Sequence, residues 1–331
     1  MVTNRKIFTF LFLVVALAAA GALLRSAFPA KAFAAELFAA EGEHATLIRE
    51  EALSASAGAN AQKTGQVGRG SVLTILERST ADGQPWVKIS MAADQQAQVS
   101  REVTGWLPAK TVVSSATANG DEIIFGQAVD SERQAEERGG RKGAAEDALR
   151  LYSRVAELFP GSPLAAEATW RAADIRWQLA KTDFVRSGKP MEEKYLREVI
   201  AKFPQSKQAE LAAYDLLESQ MCQEWRGQAE CPTKESALYE QYAHEHPQSP
   251  KAAEALYNAA WREASLADIY RINNDRDKSE AARKKGIALA QQIQSQQQDQ
   301  DWKTRAIDLI YKLEKKIPIY GVAVVEAGET K

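Results

Sequence analysis

Histidine and cysteine are scarce in this chain of 331 residues, which holds three of the first and two of the second. His244 and His246 stand two apart in "HEH", and residues two apart on a helix point to different faces. That pair therefore reads as a helix end, and no metal is expected. The chain also lacks a serine nucleophile elbow, a zinc-type HExxH, a Walker loop and a dinucleotide fingerprint. "GQVGRG" (residues 65–70) has neither the following helix nor the Lys-Ser/Thr pair of a phosphate loop, so it reads as a turn. Acidic residues are spread along helical faces, as on solvated surfaces. These absences point away from an enzyme and from any cofactor. Charge of one sign is missing too. The net charge is -2, and no Lys/Arg block is interleaved with aromatics, so nucleic acid is not an expected partner.

What is present starts at the N-terminus. Arg5 and Lys6 precede an uncharged run of 18 residues, Ile7 to Leu24, followed by Ala32-Phe33-Ala34. Small residues at that spacing suit signal peptidase, which gives an export signal cleaved after Ala34. The run is also close to the ~20 residues that span a bilayer, which leaves an uncleaved anchor as the alternative. Either way the remainder is expected outside the cytoplasm, in the periplasm or otherwise exported. The even cysteine count then predicts a Cys222–Cys231 disulfide.

Between residues 43 and 115 the pattern has period two. "GSVLTILE" (70–77) and "PWVKIS" (85–90) alternate, and "VTGWLPAKTVV" closes the block at Val113. Asp82-Gly83 supplies the positive φ of a hairpin turn. Residues 43–55 read equally as strand or short helix. The glycine before one strand, "WVKI" at Trp86 and "TGWL" at Thr104 together resemble a bacterial SH3 (SH3b) domain. The resemblance implies a small β-barrel and contact with cell-wall peptides or glycans through an aromatic groove. Trp86 and Trp106 are the candidates for that groove, with barrel core as the other reading. The "NVR" segment usual in the family is absent from 52–62, and a polar stretch at 91–102 lengthens a loop.

From about residue 147 one motif recurs: "FPGSPLAAEATW" at Phe159, "FPQSKQAELAAY" at Phe203 and "HPQSPKAAEALY" at His246, spaced 44 and 43 residues. A helical pattern precedes each copy and stops before Pro160, Pro204 or Pro247, because the residue before proline avoids the α region. Ser162, Ser206 and Ser249 are placed to cap the next helix. Alanines then line one face of that helix and allow close packing. Trp170, Tyr214 and Tyr257 follow the first of these alanines at one spacing and read as filling the gap between repeats. One helical hairpin per repeat makes a solenoid. The block resembles the tetratricopeptide (TPR) family, above all its exported members in the bacterial envelope. That resemblance implies protein–protein interaction.

The expected fold is α+β and multidomain: a small SH3-like β-barrel, then an all-α TPR-like helical repeat array. The expected divisions are 1–34 (signal or anchor), 43–115 (barrel), 116–146 (linker and lead-in helix), 147–317 (array) and 318–331 (tail). Asp301 reads as the N-cap of the last helix. The expected function is a non-enzymatic binding or scaffold protein of the cell envelope. Its partners would be an envelope protein or peptide and peptidoglycan, with membrane contact only through an uncleaved N-terminus. Candidate contact residues on the array are Trp170, Arg171, Trp177 and Tyr214. The alternatives are a cell-wall hydrolase regulator or accessory protein, and a self-associating structural component.

Overall fold

The computed structural model describes residues 42–93, 101–188, 191–295 and 300–320. The export signal, most of the polar loop at 91–102 and the end of the tail lie outside the described residues. Among the described residues no helix is long and apolar enough to cross a membrane. The described residues from Glu43 to Tyr320 form one compact unit.

The first part is a seven-stranded antiparallel sheet. Its strands are β1 (Glu43–Leu47), β2 (Glu51–Ser54), β3 (Lys63–Val67), β4 (Val72–Ala81), β5 (Gln84–Ala93), β6 (Arg101–Pro108) and β7 (Val112–Ser114), in the spatial order β3-β2-β6-β5-β4-β1-β7. Residues 43–55, open between strand and helix in sequence, are two strands. Period two holds along β4: Leu73 and Ile75 are buried while Val72 and Leu76 are exposed. Leu73 and Ile75 join Val87, Ile89, Leu47, Leu53 and Leu107 in one core. Asp82 and Gly83, with φ of 52° and 68°, form the two-residue turn between Ala81 and Gln84, the primed geometry that fits strand twist.

Nine helices follow among the described residues: α1 (Gly120–Glu136), α2 (Ala144–Leu158), α3 (Ala165–Ser187), α4 (Lys194–Lys202), α5 (Lys207–Asp215), α6 (Glu230–Glu245), α7 (Ala252–Ile272), α8 (Arg276–Ser295) and α9 (Gln300–Glu314). Within the stretch 116–146, expected as linker and lead-in helix, α1 turns one face to the core. Ile124, Ala128 and Ser131 of α1 are fully buried at helical spacing. Ile124 and Ala128 share one hydrophobic cluster with Leu151, Tyr152 and Val155 of α2, Ala168 and Ala172 of α3, Ile48 just past β1 and Val113 of β7. The high charge of residues 131–147 hid this stripe, because only one face of α1 is apolar.

The three motif copies are superposable in their hydrogen bonds. Phe159, Phe203 and His246 leave the helix at φ/ψ of -131°/61°, -130°/53° and -124°/58°. Each donates its N–H to the carbonyl four residues back, and each accepts from the serine three residues on. The stop expected before each proline is therefore present. The serines differ. Ser206 accepts from Ala209 N at 3.1 Å as a true N-cap. Ser162 and Ser249 instead accept from Leu164 N and Lys251 N, two residues on. A further turn separates them from helices that begin at Ala165 and Ala252, and their hydroxyls are engaged by Asp121 and Tyr242. Asp301 likewise lies in the first turn of α9, one residue past its start at Gln300.

The disulfide Cys222–Cys231 is present. It closes a loop that delivers Trp225 against Trp261 and Tyr320, with ring centroids 5.5 and 5.7 Å away. Glu235, 2% exposed, anchors this loop by accepting from Cys222 N and the Trp225 indole, both at 3.0 Å, while Arg262 pairs with its other oxygen. Reduction is expected to lower stability by about 2–3 kcal/mol through the freed loop entropy. Melting with and without dithiothreitol measures this, and Trp225 fluorescence should shift in the same titration. An unchanged melt would mean that Glu235 and the packing of Trp225 hold the loop without the disulfide.

Candidate functional site

The residues that differ between motif copies define a polar and aromatic ladder across the array. In each copy the position after the aromatic carries a different group: Arg171, Asp215 and Asn258. Each reaches back to the preceding hairpin. Arg171 on α3 binds Glu132 of α1 at 2.7 Å. Asp215 on α5 accepts from the Trp170 indole of α3 at 3.4 Å. Asn258 on α7 donates to the Tyr214 hydroxyl of α5 at 3.0 Å. The ladder ends where Tyr257 meets Trp302 of α9, with centroids 5.3 Å apart. Repetition of the fold thus places each aromatic beside the residue that follows the next one.

At its first rung, Glu132 also accepts from the Tyr152 hydroxyl at 2.6 Å, and Arg171 holds Glu167 at 2.6 Å. Burial and the bond to Glu132 raise the Tyr152 pKa. Burial opposes the charge on Arg171, but its bonds to Glu167 and Glu132 keep its pKa above the ordinary value. Farther along, Trp177 donates to Glu218 at 2.9 Å and Lys181 binds the same carboxylate at 2.8 Å. Two more acids face each other here. Burial, then the charge of Asp174, push the Asp215 carboxyl up to about 7. Asp174 is raised too, chiefly by burial.

The folded state therefore keeps a proton on Asp215 that the unfolded chain releases near the ordinary carboxylate range of about 4. That contribution to stability is complete below about pH 4 and is lost as pH rises to about 7. Asp215→Asn is expected to melt with the wild type near pH 4 and several degrees above it at pH 8. Thermal melts across that range check the sign. A gap independent of pH would show that ionisation is not its cause.

The six sequence candidates divide by burial. Trp177 (1% exposed) and Tyr214 are buried between helices, and Trp86 (5% exposed) is buried at the sheet. None of these three lines an open surface, as the binding reading required. Trp86 pairs with Pro108 and Trp106 with Lys88, so the two indoles share one face of the sheet, yet Trp106 alone is half-open. Trp170 and Arg171 are half-buried, engaged by Asp215 and by Glu132 and Glu167. Glu132, Asp174, Asp215, Asn258 and Arg262 escaped sequence reasoning. For Asp215 and Asn258 the signal was there, as the position of each copy just past the aromatic.

No protein-family model matches this chain, and no curated protein sequence does. Among solved structures, the DHF119 filament is 20% identical over 64% of this chain and 97% of its own, with a TM-score of 0.24. The de novo designed helical repeat protein DHR64 is 18% identical over 60% of this chain and 94% of its own, at 0.23. The DHF79 filament is 17% identical over 58% and 96%, at 0.22.

Proposed function

We propose that this chain is an exported, non-enzymatic binding or scaffold protein of the bacterial cell envelope. Its array serves as a TPR-like surface for protein–protein interaction, and its sheet as an SH3b-like module for cell wall or protein. The observation that carries this reading is the shared core of the two parts. Ile48, just past β1, and Val113 of β7 pack in the same cluster as residues of α1, α2 and α3. A fixed arrangement of two binding modules presents one surface without the entropy cost of ordering a linker. The disulfide fits an oxidising compartment outside the cytoplasm. Pull-downs with purified peptidoglycan and with envelope extract test the reading; recovery of neither overturns it.

A second reading, a regulator or accessory of cell-wall hydrolysis, draws on Asp215, whose raised pKa beside Asp174 is of the kind found in acid–base sites. Wall-fragment release by an added cell-wall hydrolase separates the two, because a change in its rate that Asp215→Asn abolishes belongs only to the second.

A further inference from the structure

At the far end of the array the chain seats a segment of itself on its own surface. Past α9 the backbone turns at Lys316, φ 56°, and Ile317 N closes the helix end on Lys312 O at 2.8 Å. Residues 317–320 then run without helix or strand. Ile319 N and Tyr320 N both donate to Asp268 Oδ2 of α7, at 2.7 and 3.0 Å. The Tyr320 hydroxyl accepts from Gly227 N of the disulfide loop at 3.1 Å, and its ring lies 5.7 Å from that of Trp225. Ile319 packs against the cluster that includes Leu289, Leu309 and Leu313. Fixed polar groups that meet the backbone, with apolar contact for the side chains, are how proteins hold an extended peptide. Tyrosine suits such a place because it offers an apolar ring and a polar tip. Ile317 and Pro318 remain exposed, so the segment lies on the surface as a strap.

The space beside the strap says what would fit better. A cleft of about 580 Å³ is bounded by Asp268, Ile317 and Ile319, within the ~300–1,000 Å³ of ligand sites. Arg271 is paired there with Asp268 at 3.5 Å, Arg283 with Glu280, and Lys312 with Asp308. Arg276 and Lys316 line the cleft with no ion pair among the described residues, and Asp277 offsets only one of them. One positive charge is left over. In the strap the residue before Ile317 is Lys316 itself, which adds to that charge instead of meeting it.

We propose that Asp268, Gly227 and Trp225 form a docking site for an extended segment of a partner protein, in which an acidic residue precedes an apolar stretch ending in tyrosine. Residues 317–320 fill the site until that segment displaces them. The proposal rests on the binding-protein reading and specifies what is bound. The strap has the advantage of a high effective concentration; the partner's acid supplies an interaction that the strap lacks.

The test uses the full chain with Tyr320→Ala, which empties the site, and follows the Gly227 N–H signal by NMR. The probe is a capped Glu-Ile-Pro-Ile-Tyr peptide. The expected result is a saturating return of the signal toward its wild-type position, where Gly227 again meets a tyrosine hydroxyl. Wild-type chain should need roughly tenfold or more peptide, because its own strap must leave first. Capped Lys-Ile-Pro-Ile-Tyr should bind roughly tenfold more weakly, and Glu-Ile-Pro-Ile-Ala should not restore the signal. Tyr320→Phe, which keeps the ring and loses the acceptor, should bind with intermediate affinity and serves if the alanine variant fails to fold. No saturating shift, equal affinity in wild type and variant, or indifference to the peptide's glutamate or tyrosine would each overturn the site. Wild-type dimers that Tyr320→Ala abolishes would assign it to the strap of a second copy and overturn the partner. Envelope-protein capture that excess peptide leaves unchanged would keep the binding-protein reading and remove this site. A normal titration with no envelope capture would do the reverse.

Discussion

Trp177→Ala is expected to cost about 3–5 kcal/mol, as for other buried tryptophans cut to alanine. The indole is 1% exposed and packs with Ala173 of its own helix, Leu196 and Val199 of α4, and Ala212 and Leu216 around α5. It is the largest of the fully buried side chains and sits in a cluster drawn from all three helices. Truncation leaves a void there and takes from Glu218 its indole donor, although Lys181 remains. Against a typical total of about 5–15 kcal/mol, the loss removes a large share of stability. Denaturant midpoints measure it. Trp177→Phe keeps most of the volume and drops the hydrogen bond, so it should cost only about 1–2 kcal/mol. If alanine were no worse than phenylalanine, packing would not be what Trp177 supplies.

Gly70→Ala should act on a different boundary, the one between sheet and array. Gly70 has φ +72°, and its N–H donates to Leu47 O at 2.8 Å. A Cβ there would stand 2.5 Å from Arg150 Cβ and 3.1 Å from the Arg150 carbonyl carbon on α2. Arg150 in turn donates to the Arg69 carbonyl at 2.9 Å, so the helix cannot retreat without losing that bond. The left-handed backbone costs about 1–2 kcal/mol and the overlap about 1–3 more, for a total of about 2–5 kcal/mol. Gly83 is the control. Its φ is +68° and nothing lies within 4 Å of an added Cβ, so only the backbone cost applies. Limited proteolysis between Ser114 and Gly120 should accelerate in Gly70→Ala and not in Gly83→Ala. Equal losses in both would mean that the contact with α2 does not hold the two parts together.

Both residues show how far local pattern reaches. The helical period placed Trp177 on a helix but gave no side, and a tryptophan beside an arginine was open to either core or contact. Its burial follows from α4 and α5 closing over it, residues tens of positions away. Gly70 was legible as a turn. Its closeness to Arg150 was not, because the pair is 80 positions apart and neither residue carries a signature of the other. Trp86 and Trp106 share the same limit. Alternation set both on strands, and only the pairing of β5 with β6 gave them one face and buried one of them. Ser162 and Ser249 were expected to cap helices as Ser206 does, but Asp121 and Tyr242 bind their hydroxyls from other segments.

By itself the sequence determined the order of sheet then helices, the three helix stops at proline, the hairpin at Asp82-Gly83 and the disulfide pairing. Each rests on φ/ψ restriction, periodicity or a count, all of which act within a few residues or leave no alternative. Only the tertiary structure decided that α1 belongs to the core, that Asp174 and Asp215 come within reach of each other's charge, that Trp177 and Tyr214 lie inside, and that Arg154 Nε is buried with no hydrogen-bond partner among the described residues. Burial and electrostatics depend on which surfaces come together, and that is set by the sum of packing across the whole array.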